Sequence, residues 1–347
     1  MRILVTYPDV PRRDFLFSAD VVARLESLGD VDWNERTDQF TPVELSDRLR
    51  DVDVCVTGWG CPTLSADVLD GADAGDGTRD RDGADALELV THVGGSVASV
   101  ASPALYERGI PVCSANHVMA PFVAEGILAY ALAGLRDVVG FDAALADGEW
   151  PDGMARSESL FGAKIGFVGL GSVGRELLAL LEPFEPTVDV YDPYVAEDEL
   201  ADFEFAALTD LETALSSELV SVHASKTPET IHLLDGEALA TVPDGGLLVN
   251  AARGAIVDEA ALVAELETGR ISAALDVYET EPLPDSSPLR DLDNAVLGPH
   301  VAGAPTRHRL AEAAVEEVER FAAGESLQHD VPRERYELMT RDWLEAS

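Results

Sequence analysis

The sequence predicts an α/β protein of two domains, each built around a doubly wound parallel sheet. Short apolar segments that fit buried strands alternate with longer segments whose apolar residues recur at helical spacing. Such alternation is typical of parallel sheets that are covered by helices on both faces. The length of 347 residues is more than one hydrophobic core usually supports, which favours two domains.

The first part of the chain contains five predicted strands. They are the apolar or alternating segments at 1–6, 31–33, 51–57, 87–92 and 110–113. Helical spacing predicts helices at 15–28, 42–49, 64–69 and 102–108. Residues 71–85 are acidic, rich in glycine and without periodicity, so we expect an exposed and mobile loop there.

The alternation continues after a long predicted helix at 120–139 and a polar loop at 140–160. Further strands are predicted at 165–168, 187–191, 219–223, 246–250, 271–275 and 295–297. Further helices are predicted at 172–181, 209–215, 236–240 and 259–268. An amphipathic helix at 309–323 is expected to return to the first domain, which would make that domain discontinuous.

Three glycines between a strand and a helix indicate a dinucleotide-binding turn. Gly169, Gly171 and Gly174 have the spacing G-x-G-x-x-G, directly after the strand at 165–168. The first glycine permits a tight turn, the second lets the backbone approach a pyrophosphate, and the third lets the helix pack close to the strand. The free N–H groups at the start of that helix favour phosphate. An accidental glycine-rich turn is the alternative, and the strand and helix on either side argue against it.

An acidic residue at the end of the next strand indicates which dinucleotide is bound. Asp192 lies 18 residues beyond Gly174, close to the ~20 expected for the carboxylate that binds the ribose hydroxyls. A carboxylate at this position would repel the 2′-phosphate of NADP, and no arginine follows it directly. NAD is therefore the expected cofactor.

The composition is strongly acidic. Asp and Glu total 65, the formal net charge is −41, and only two lysines, Lys164 and Lys226, are present. Scarce lysine and dispersed acids suggest adaptation to high salt, where a screening length of ~3 Å at 1 M weakens self-repulsion. This charge also argues against nucleic acid or an anionic membrane as a partner.

A cytoplasmic location is the expectation from the remaining sequence signals. Cys55, Cys61 and Cys113 are irregularly spaced and read as small core residues in a reducing compartment, not as a disulfide framework or a metal site. The sequence shows no basic and apolar N-terminal leader. The most apolar segment, at 122–135, contains Glu125 and is expected to be too short to span a bilayer.

Three residues that follow predicted strands could carry redox chemistry. Arg253, Glu281 and His300 each lie just beyond a strand of the second domain, and open α/β sheets bind ligands at these carboxyl ends. Oxidation of an alcohol by NAD requires a group that takes the hydroxyl proton, and histidine titrates near neutrality. A carboxylate orients that histidine, and arginine anchors an anionic substrate. Individually each could be a surface or turn residue; together they indicate a dehydrogenase.

The sequence resembles the D-isomer-specific 2-hydroxyacid dehydrogenase family. The strings that carry the resemblance are GLGSVG (169–174), NAARGAIVDEAAL (250–262), ALDVYETEPLPDSSPL (274–289) and GPHVAG (298–303). The resemblance implies that Arg253 binds the substrate carboxylate and carbonyl, that His300 is the acid/base, and that Glu281 is its partner. It also implies that Asp276 contacts the nicotinamide carboxamide.

The family resemblance further implies two Rossmann-like domains with a cleft between them, and a homodimer formed through the NAD-binding domain. The helix at 120–139 and the loop near Trp150 would form the dimer contact. We assign 1–117 with 304–335 to a discontinuous, flavodoxin-like substrate-binding domain, 118–303 to the NAD-binding Rossmann domain, and 336–347 to a C-terminal tail.

The predicted site residues fall into three groups. The catalytic residues are Arg253, Glu281 and His300. The residues predicted to bind NAD are Gly169, Leu170, Gly171, Ser172, Val173, Gly174, Asp192, His223, Ala251, Ala252, Arg253, Asp276, His300 and Gly303. The residues predicted to bind substrate are Trp59, Gly94, Gly95, Ser96, Arg253 and His300, and no metal is expected.

The sequence departs from the family pattern in two places. The substrate loop, usually of the form G-x-G-V-D, reads here as 93–97 without the acid, although the N–H groups of Gly95 and Ser96 could still receive a carboxylate. Position 298 is glycine where the family often has Thr or Ser, which predicts a slight loosening before His300. The roles of His92 and His117 stay open, and Trp59 could equally be a core residue.

The expected function is hydride transfer between NAD(H) and a 2-hydroxy or 2-keto acid of D stereochemistry. A first alternative is a dehydrogenase of a phosphorylated or sugar-derived hydroxy acid, for which Arg12 and Arg13 are candidate phosphate ligands. A second alternative is an NAD-sensing scaffold or corepressor. The complete set of Arg253, Glu281 and His300 argues against the latter, because a sensor does not need proton transfer.

Overall fold

The structure, a computed structural model, describes residues 1–71, 84, 86–152 and 157–338. The chain divides into two compact units: the first is Met1–Met119 with Thr306–Ser347, and the second is Ala120–Pro305. Most of the predicted acidic loop, at 72–83 and 85, lies outside the described residues, as does 339–347 of the predicted tail. The start of that tail, Tyr336, is buried in the core of the first unit.

The first unit contains a five-stranded parallel sheet in the order β2-β1-β3-β4-β5. The strands are β1 (Arg2–Val5), β2 (Asp30–Trp33), β3 (Val54–Thr57), β4 (Leu89–His92) and β5 (Val112–Ser114). All five predicted strands are confirmed. Alternate residues of β1 and β3 enter two separate hydrophobic clusters, so both faces of the sheet are covered, as a parallel sheet requires.

The helices that lie wholly within the first unit are α1 (Pro11–Leu16), α2 (Ala19–Leu28), α3 (Pro42–Arg48), α4 (Ala66–Asp70), α5 (Pro103–Glu107) and α12 (His308–Ala323). The single helix predicted at 15–28 is wrong. The chain breaks at Ser18, whose side chain accepts a hydrogen bond from the N–H of Val21 and so begins a new helix. The returning helix predicted at 309–323 is confirmed in the contacts of α12 with α2 and β4.

The second unit contains a seven-stranded parallel sheet in the order β12-β11-β10-β9-β6-β7-β8. Its strands are β6 (Lys164–Val168), β7 (Thr187–Tyr191), β8 (Ala206–Leu208), β9 (Leu219–Val222), β10 (Leu247–Asn250), β11 (Ser272–Leu275) and β12 (Ala295–Leu297). The edge strand β8 was not predicted, because three residues are too few to show a period. The α/β fold class with two parallel sheets is confirmed.

The remaining helices are α6 (Asn116–Leu135), α7 (Val138–Ala146), α8 (Ser172–Leu181), α9 (Leu211–Leu215), α10 (Gly236–Leu239) and α11 (Glu259–Glu267). The prediction of one helix at 120–139 followed by a loop at 140–160 is wrong at the junction and over 140–146, which are helical, and 153–156 lie outside the described residues. Asp137 adopts a left-handed conformation with φ of 47°, which separates α6 from α7. The second helix therefore occupies nine residues of the predicted junction and loop.

The helix α6 is 20 residues long and apolar along its length. By length and composition it is able to cross a membrane, and only 22% of its most apolar window is buried within the protein. The expectation that the apolar segment at 122–135 is too short to span a bilayer does not hold for the helix, which begins six residues earlier, at Asn116. A helix that packs in a soluble core or an interface has the same composition, so the length leaves its environment open.

The sheet of the second unit reverses its strand order at β6. The chain proceeds from β6 outward to β7 and β8, then returns to β9 on the other side of β6. Loops that follow β6 and β9 therefore diverge and leave a crevice at the carboxyl ends of these strands, where such sheets bind ligands. In the first unit the same reversal lies between β1 and β3.

Candidate active site

The glycine-rich turn after β6 has the conformation that a dinucleotide requires. Gly169 adopts φ of 93°, and a side chain there would crowd the N–H of Ala224 at 2.6 Å. At Gly171, which precedes α8, a Cβ would meet no atom within 4 Å. Gly174 is buried in the first turn of α8 and faces the ring of His223. The open space at Gly171 is the place at which a pyrophosphate can approach the backbone.

Asp192 lies at the end of β7 and holds this turn together. Its Oδ2 accepts a hydrogen bond of 2.8 Å from the N–H of Leu170, and its Oδ1 accepts one of 2.9 Å from the N–H of Tyr194. Each carboxylate oxygen has a second lone pair, so the group can accept further bonds from ribose hydroxyls. Ser172 and Val173 form the start of α8, and the N-terminus of a helix is the end that favours a phosphate group.

Arg253 stands on a loop whose shape is fixed by a buried asparagine. Asn250, at the end of β10, donates to the carbonyl oxygen of Arg253 at 3.0 Å and accepts from the N–H of Ala252 at 3.0 Å. The guanidinium of Arg253 donates to the carbonyl oxygen of Ala252 at 2.6 Å and has donors left for a ligand. Desolvation lowers the pKa of Arg253 and the nearby Glu281 carboxylate opposes this, so the side chain stays cationic.

Gly254 lets the arginine loop lie against the loop that follows β11. A side chain at this position would clash with the backbone of Tyr278 and Glu279. The close approach brings the loop of Arg253 beside the loop that carries Glu281, and no larger residue permits it. The two loops follow neighbouring strands of one sheet, β10 and β11, as the sequence predicted.

Glu281 and His300 are paired. The Nδ1 atom of His300 lies 2.7 Å from Oε2 of Glu281, and Oε1 of Glu281 accepts a bond of 3.1 Å from the N–H of Tyr278. Because a carboxylate only accepts, Nδ1 carries the proton in this pair and Nε2 is the nitrogen left to exchange a proton with a ligand. The His300 side chain is 52% exposed, which keeps Nε2 accessible.

Asp276 positions the loop of His300. It is buried, its Oδ1 accepts from the N–H of Val301 at 2.9 Å, and its Oδ2 accepts from the N–H of Ala302 at 2.8 Å. Its backbone carbonyl also accepts from the N–H of His300 at 2.8 Å. The carboxylate thus binds the loop that bears His300, while its predicted contact with nicotinamide stays a prediction.

Tyr130, which no sequence pattern marks as part of a site, completes this arrangement. The hydroxyl of Tyr130 on α6 donates to Oδ1 of Asp276 at 2.7 Å, and burial together with this bond raises the pKa of Tyr130. A side chain at Gly298 would clash with the Tyr130 hydroxyl. The glycine at 298 is therefore better explained as room for Tyr130 than as a loosening of the loop before His300.

His223 lies beside the glycine turn as a neutral imidazole. Its ring packs against Phe167 with centroids 4.4 Å apart, and burial lowers its pKa to about 3. Within the described part of the chain neither ring nitrogen has a hydrogen-bond partner. Its place next to Gly169 and Gly174 agrees with a role at the cofactor, which stays a prediction. Ala251, Ala252 and Gly303 lie on the loops already described, after β10 and beyond His300.

The predicted substrate residues of the first unit lie at the carboxyl ends of β3 and β4. Trp59 follows β3 and is 42% exposed, so it is not a core residue. Gly94, Gly95 and Ser96 follow β4, and among the described residues the N–H groups of Gly95 and Ser96 reach no protein acceptor. His92, the last residue of β4, is 1% exposed. His117 stacks on His329 with centroids 3.3 Å apart, in a part of the first unit not linked here to substrate.

The cysteines lie in the core of the protein. Cys55, Cys61 and Cys113 are buried and free, as predicted, and burial raises their thiol pKa values. Over the described ranges no group of three metal-ligating side chains occurs.

Comparison with known proteins decides the family. The family model of the D-isomer specific 2-hydroxyacid dehydrogenase, NAD binding domain, matches residues 128–302, half of the chain. The chain belongs to this family. The predicted family is thereby confirmed, and the second unit is its NAD-binding domain.

Relatives of this dehydrogenase family share both sequence and fold with the chain. D-3-phosphoglycerate dehydrogenase of Methanocaldococcus jannaschii is 28% identical over 344 residues, 96% of this chain and 61% of the relative. Glyoxylate reductase of Thermofilum pendens is 38% identical over 234 residues, 64% of this chain and 68% of the relative. The crystal structure of the TT0316 protein from Thermus thermophilus matches with a TM-score of 0.78 and 31% identity, over 96% of this chain and 100% of that chain.

The chain spans only part of the length of several dehydrogenase relatives. It covers 61% of the Methanocaldococcus protein and 46% of D-3-phosphoglycerate dehydrogenase from Mycobacterium tuberculosis. The activities of those longer proteins therefore cannot be transferred whole. What the family match carries to this chain is the NAD-binding domain and the loops that bear Arg253, Glu281 and His300.

Proposed function

We propose that this chain is an NAD-dependent oxidoreductase that interconverts a 2-keto acid and the D-2-hydroxy acid. The observation that carries the proposal is the 2.7 Å bond between His300 and Glu281 in the same unit as the glycine turn. A proton-exchanging imidazole with an orienting carboxylate is what hydride transfer to a carbonyl requires. Arg253, on a loop fixed by Asn250, supplies the charge that an anionic substrate needs.

Arg253, His300 and Glu281 have separate roles in the proposed reaction. Arg253 binds the carboxylate and carbonyl oxygen of the acid and holds the carbonyl carbon in place. Bound NADH supplies the hydride. The carbonyl oxygen would gain negative charge in this reduction, and Nε2 of His300 is placed to give it a proton. Glu281 keeps Nδ1 protonated and stabilises the imidazolium before that transfer. In the oxidative direction the same Nε2 takes the hydroxyl proton.

In the first unit, the amides of Gly95 and Ser96 are proposed to bind substrate as well. Both N–H groups reach no protein acceptor in the described residues, and glycine leaves the backbone uncovered. A substrate carboxylate is a suitable acceptor for two neighbouring N–H groups. This role replaces the acid that the family loop usually has near position 97.

NAD is proposed over NADP because of Asp192. The carboxylate is fixed by Leu170 and Tyr194 and faces the turn at which the ribose of the cofactor would bind. Two ribose hydroxyls can donate to it, whereas a 2′-phosphate would meet it with like charge.

We also propose a homodimer formed through α6 and α7 of the NAD-binding unit. Val138 and Val139 are 55% and 51% exposed, and Leu145 is 52% exposed. The neighbouring helix α6 is apolar and only 22% of its most apolar window is buried, and exposed apolar residues of this kind are typical of interfaces. We propose that α6 is buried in this interface and not in a membrane, and that the enzyme is cytoplasmic.

The acidic surface is proposed to adapt the protein to concentrated salt. With a net charge of −41, self-repulsion opposes folding at low ionic strength and is screened in molar KCl. A melting temperature that rises as KCl is increased into the molar range supports this, and an unchanged or lower one contradicts it.

The experiment that tests the proposed function is a panel of 2-keto acids with NADH or NADPH, followed by absorbance at low and high KCl. We expect turnover with NADH and at least one small 2-keto acid, and formation of the D product. No oxidation of NADH with any member of the panel, from protein that binds NADH, would favour the NAD-sensing scaffold or corepressor instead.

A phosphorylated substrate is the second candidate, because several relatives are named D-3-phosphoglycerate dehydrogenase. The two arginines considered for phosphate differ in availability. Arg13 is bound to Asp9 at 2.6 Å and to the carbonyl oxygen of Asn34 at 3.0 Å. Arg12 lies beside Tyr7. Burial raises the pKa of Tyr7, and the nearby cation of Arg12 opposes this rise. The phosphorylated keto acid belongs in the same panel.

A further inference from the structure

A second histidine–glutamate pair lies close to Glu281 along the chain. Nε2 of His232 lies 2.7 Å from Oε1 of Glu279, which precedes Glu281 by two residues, and all three belong to the NAD-binding unit. A carboxylate only accepts, so Nε2–H of His232 is the donor in this pair. The side chains of His232 and Glu279 are 46% and 35% exposed. The pair is separate from the bond between Glu281 and His300 that the proposed mechanism uses.

The main chain of His232 is bonded to the loop that bears Arg253. The N–H of His232 donates to the carbonyl oxygen of Ala255 at 2.8 Å, two residues beyond Arg253. The contact continues at Leu234, whose N–H donates to the carbonyl oxygen of Ile256 at 3.1 Å. The segment of His232 therefore lies alongside the arginine loop and is fixed to it by main-chain bonds.

The side chain of His232 reaches the other loop, which follows β11 and carries Glu281. Oε1 of Glu279 also accepts from the N–H of Glu259 at 3.2 Å, and Oε2 of Glu259 accepts from the N–H of Glu279 at 3.1 Å. Each carboxylate is thus bonded to the main chain of the other residue, at the start of α11. Two negative side chains meet here, and the donor of His232 reduces their mutual repulsion.

Glu279 belongs to the short segment that fixes the carboxylate of Glu281. The N–H of Tyr278 donates to Oε1 of Glu281 at 3.1 Å, and Oε2 of Glu281 pairs with His300 at 2.7 Å. Glu279 is the next residue after Tyr278. A displacement of Glu279 would therefore move the N–H of Tyr278 and turn Glu281 away from Nδ1 of His300.

We propose that His232 is a positioning residue, which joins the loop of Arg253 to the loop of Glu281 and so holds the Glu281–His300 pair in its productive orientation. Its main chain is bonded to the first loop and its side chain to the second. This inference rests on the proposed function. It adds a residue that acts through Glu279 and not on the substrate itself.

The exposure of the pair argues that its main effect is on the rate and not on folding. An exposed ion pair or charge-assisted bond contributes little to stability, because water solvates both groups when the bond is broken. Catalysis depends far more steeply on geometry, since displacement of a catalytic group by about 1 Å can lower the rate ~100-fold. A surface bond between two loops that carry catalytic residues is therefore best tested by kinetics.

The test compares His232→Phe and His232→Gln in the full chain, with NADH and glyoxylate, pyruvate or hydroxypyruvate, whichever the wild type reduces fastest. Phe keeps an aromatic ring and removes the donor, whereas the amide of Gln can still donate to Glu279. We expect kcat to fall about tenfold in His232→Phe and to stay within about twofold of wild type in His232→Gln. NADH affinity, measured by fluorescence, and the urea midpoint should be those of wild type in both.

The pH profile of kcat separates positioning from a general loss of structure. Reduction needs His300 in its protonated form, and the carboxylate of Glu281 stabilises that form. In His232→Phe the limb on which kcat falls with rising pH should therefore move to lower pH, in the direction given by Glu281→Gln. His232→Gln, which has no imidazole at this position, should keep the wild-type limb. His308→Gln, at an exposed histidine of the first unit, is the control and should change neither kcat nor the limb.

The outcomes separate this inference from the function on which it rests. If His232→Phe has the kcat and the limb of wild type, or if His232→Gln is impaired as much as His232→Phe, the inference is overturned. Should His232→Phe not fold, Glu279→Ala removes the other partner of the same bond and must lower kcat and move the limb in the same way; a wild-type profile in that variant overturns the inference. If Glu281→Gln changes neither kcat nor the limb, or if no 2-keto acid is reduced, the proposed function itself fails and the inference with it.

Discussion

The hydroxyl of Tyr130 donates a 2.7 Å hydrogen bond to the carboxylate of Asp276, through space that only a glycine at 298 leaves free. Asp276 in turn accepts from the two N–H groups that follow His300. The loop of His300, the residue proposed to be catalytic, is thus held in place from α6, a helix distant in sequence.

This relationship predicts a strong coupling between positions 130 and 298. Gly298→Ala places a Cβ against the Tyr130 hydroxyl and should lower the free energy of unfolding by about 1–3 kcal/mol, the usual cost of overpacking. In a Tyr130→Ala background the same change should cost less, because the clash with the tyrosine is absent and only the contact of the Cβ with Oδ1 of Asp276, at 2.6 Å, is left. Urea unfolding of the two single variants and the double variant measures the coupling; purely additive effects would contradict it.

Asp192 is predicted to set the choice of cofactor. Asp192→Ala removes the carboxylate that would bind the ribose hydroxyls and repel a 2′-phosphate. The ratio of kcat/KM with NADH to that with NADPH should fall at least tenfold. Asp189→Ala, on the same strand and paired with Lys164, is the matched control and should leave the ratio as it is. An unchanged ratio in the Asp192 variant would remove the case for NAD specificity.

The buried imidazole of His92 is expected to make the protein less stable in mild acid. Its pKa falls from 6.5 to about 4 on burial, so between these values the unfolded chain binds a proton that the folded chain does not. The free energy of unfolding therefore decreases as pH falls through this window, by about 2 kcal/mol at pH 5. Urea unfolding at pH 7 and pH 5 measures the effect. His223 is also buried with a lowered pKa and contributes to the same loss of stability. The contribution of His92 is therefore measured as the difference between wild type and His92→Phe in how the free energy of unfolding changes with pH. An equal change in the two proteins would contradict the prediction.

The proposed dimer predicts that one charge on α7 is enough to separate the protomers. Val139→Glu places a carboxylate on the exposed apolar surface and should give a monomer by light scattering after size exclusion, with NADH still bound. Val43→Glu, at a similarly exposed valine of the first unit, should leave the assembly intact. A monomeric wild type, or a dimeric Val139→Glu variant, would contradict the assignment of this surface.

The sequence predicted most of the sheet architecture because strands of a parallel sheet are buried on both faces and read as apolar runs. The prediction from the sequence was wrong where a single residue interrupts a helical periodicity. Ser18 begins a new helix inside an apolar pattern, and Asp137 separates α6 from α7 by adopting a left-handed conformation. The short edge strand β8 offers too few residues to show alternation.

The site was predictable where chemistry depends on residue type at a strand end, as for Arg253, Glu281 and His300. The residues that position these three side chains could not be predicted from the sequence. Asn250 and Tyr130 act through contacts between residues 3 and 146 positions apart, and tyrosine in an apolar helix has no sequence signature of such a role. Glycine at 298 was visible in the sequence, but its reason is apparent only beside Tyr130.

The central claim is that His300, oriented by Glu281, exchanges the proton in an NAD-dependent reduction of a 2-keto acid. The most direct test is the steady-state rate of NADH oxidation, with the best 2-keto acid of the panel, for wild type and His300→Ala, with NADH affinity measured by fluorescence. The predicted result is a fall in kcat of about 10²–10⁴-fold, the range of general acid–base catalysis, at unchanged NADH affinity. Near-normal turnover in His300→Ala would contradict the account.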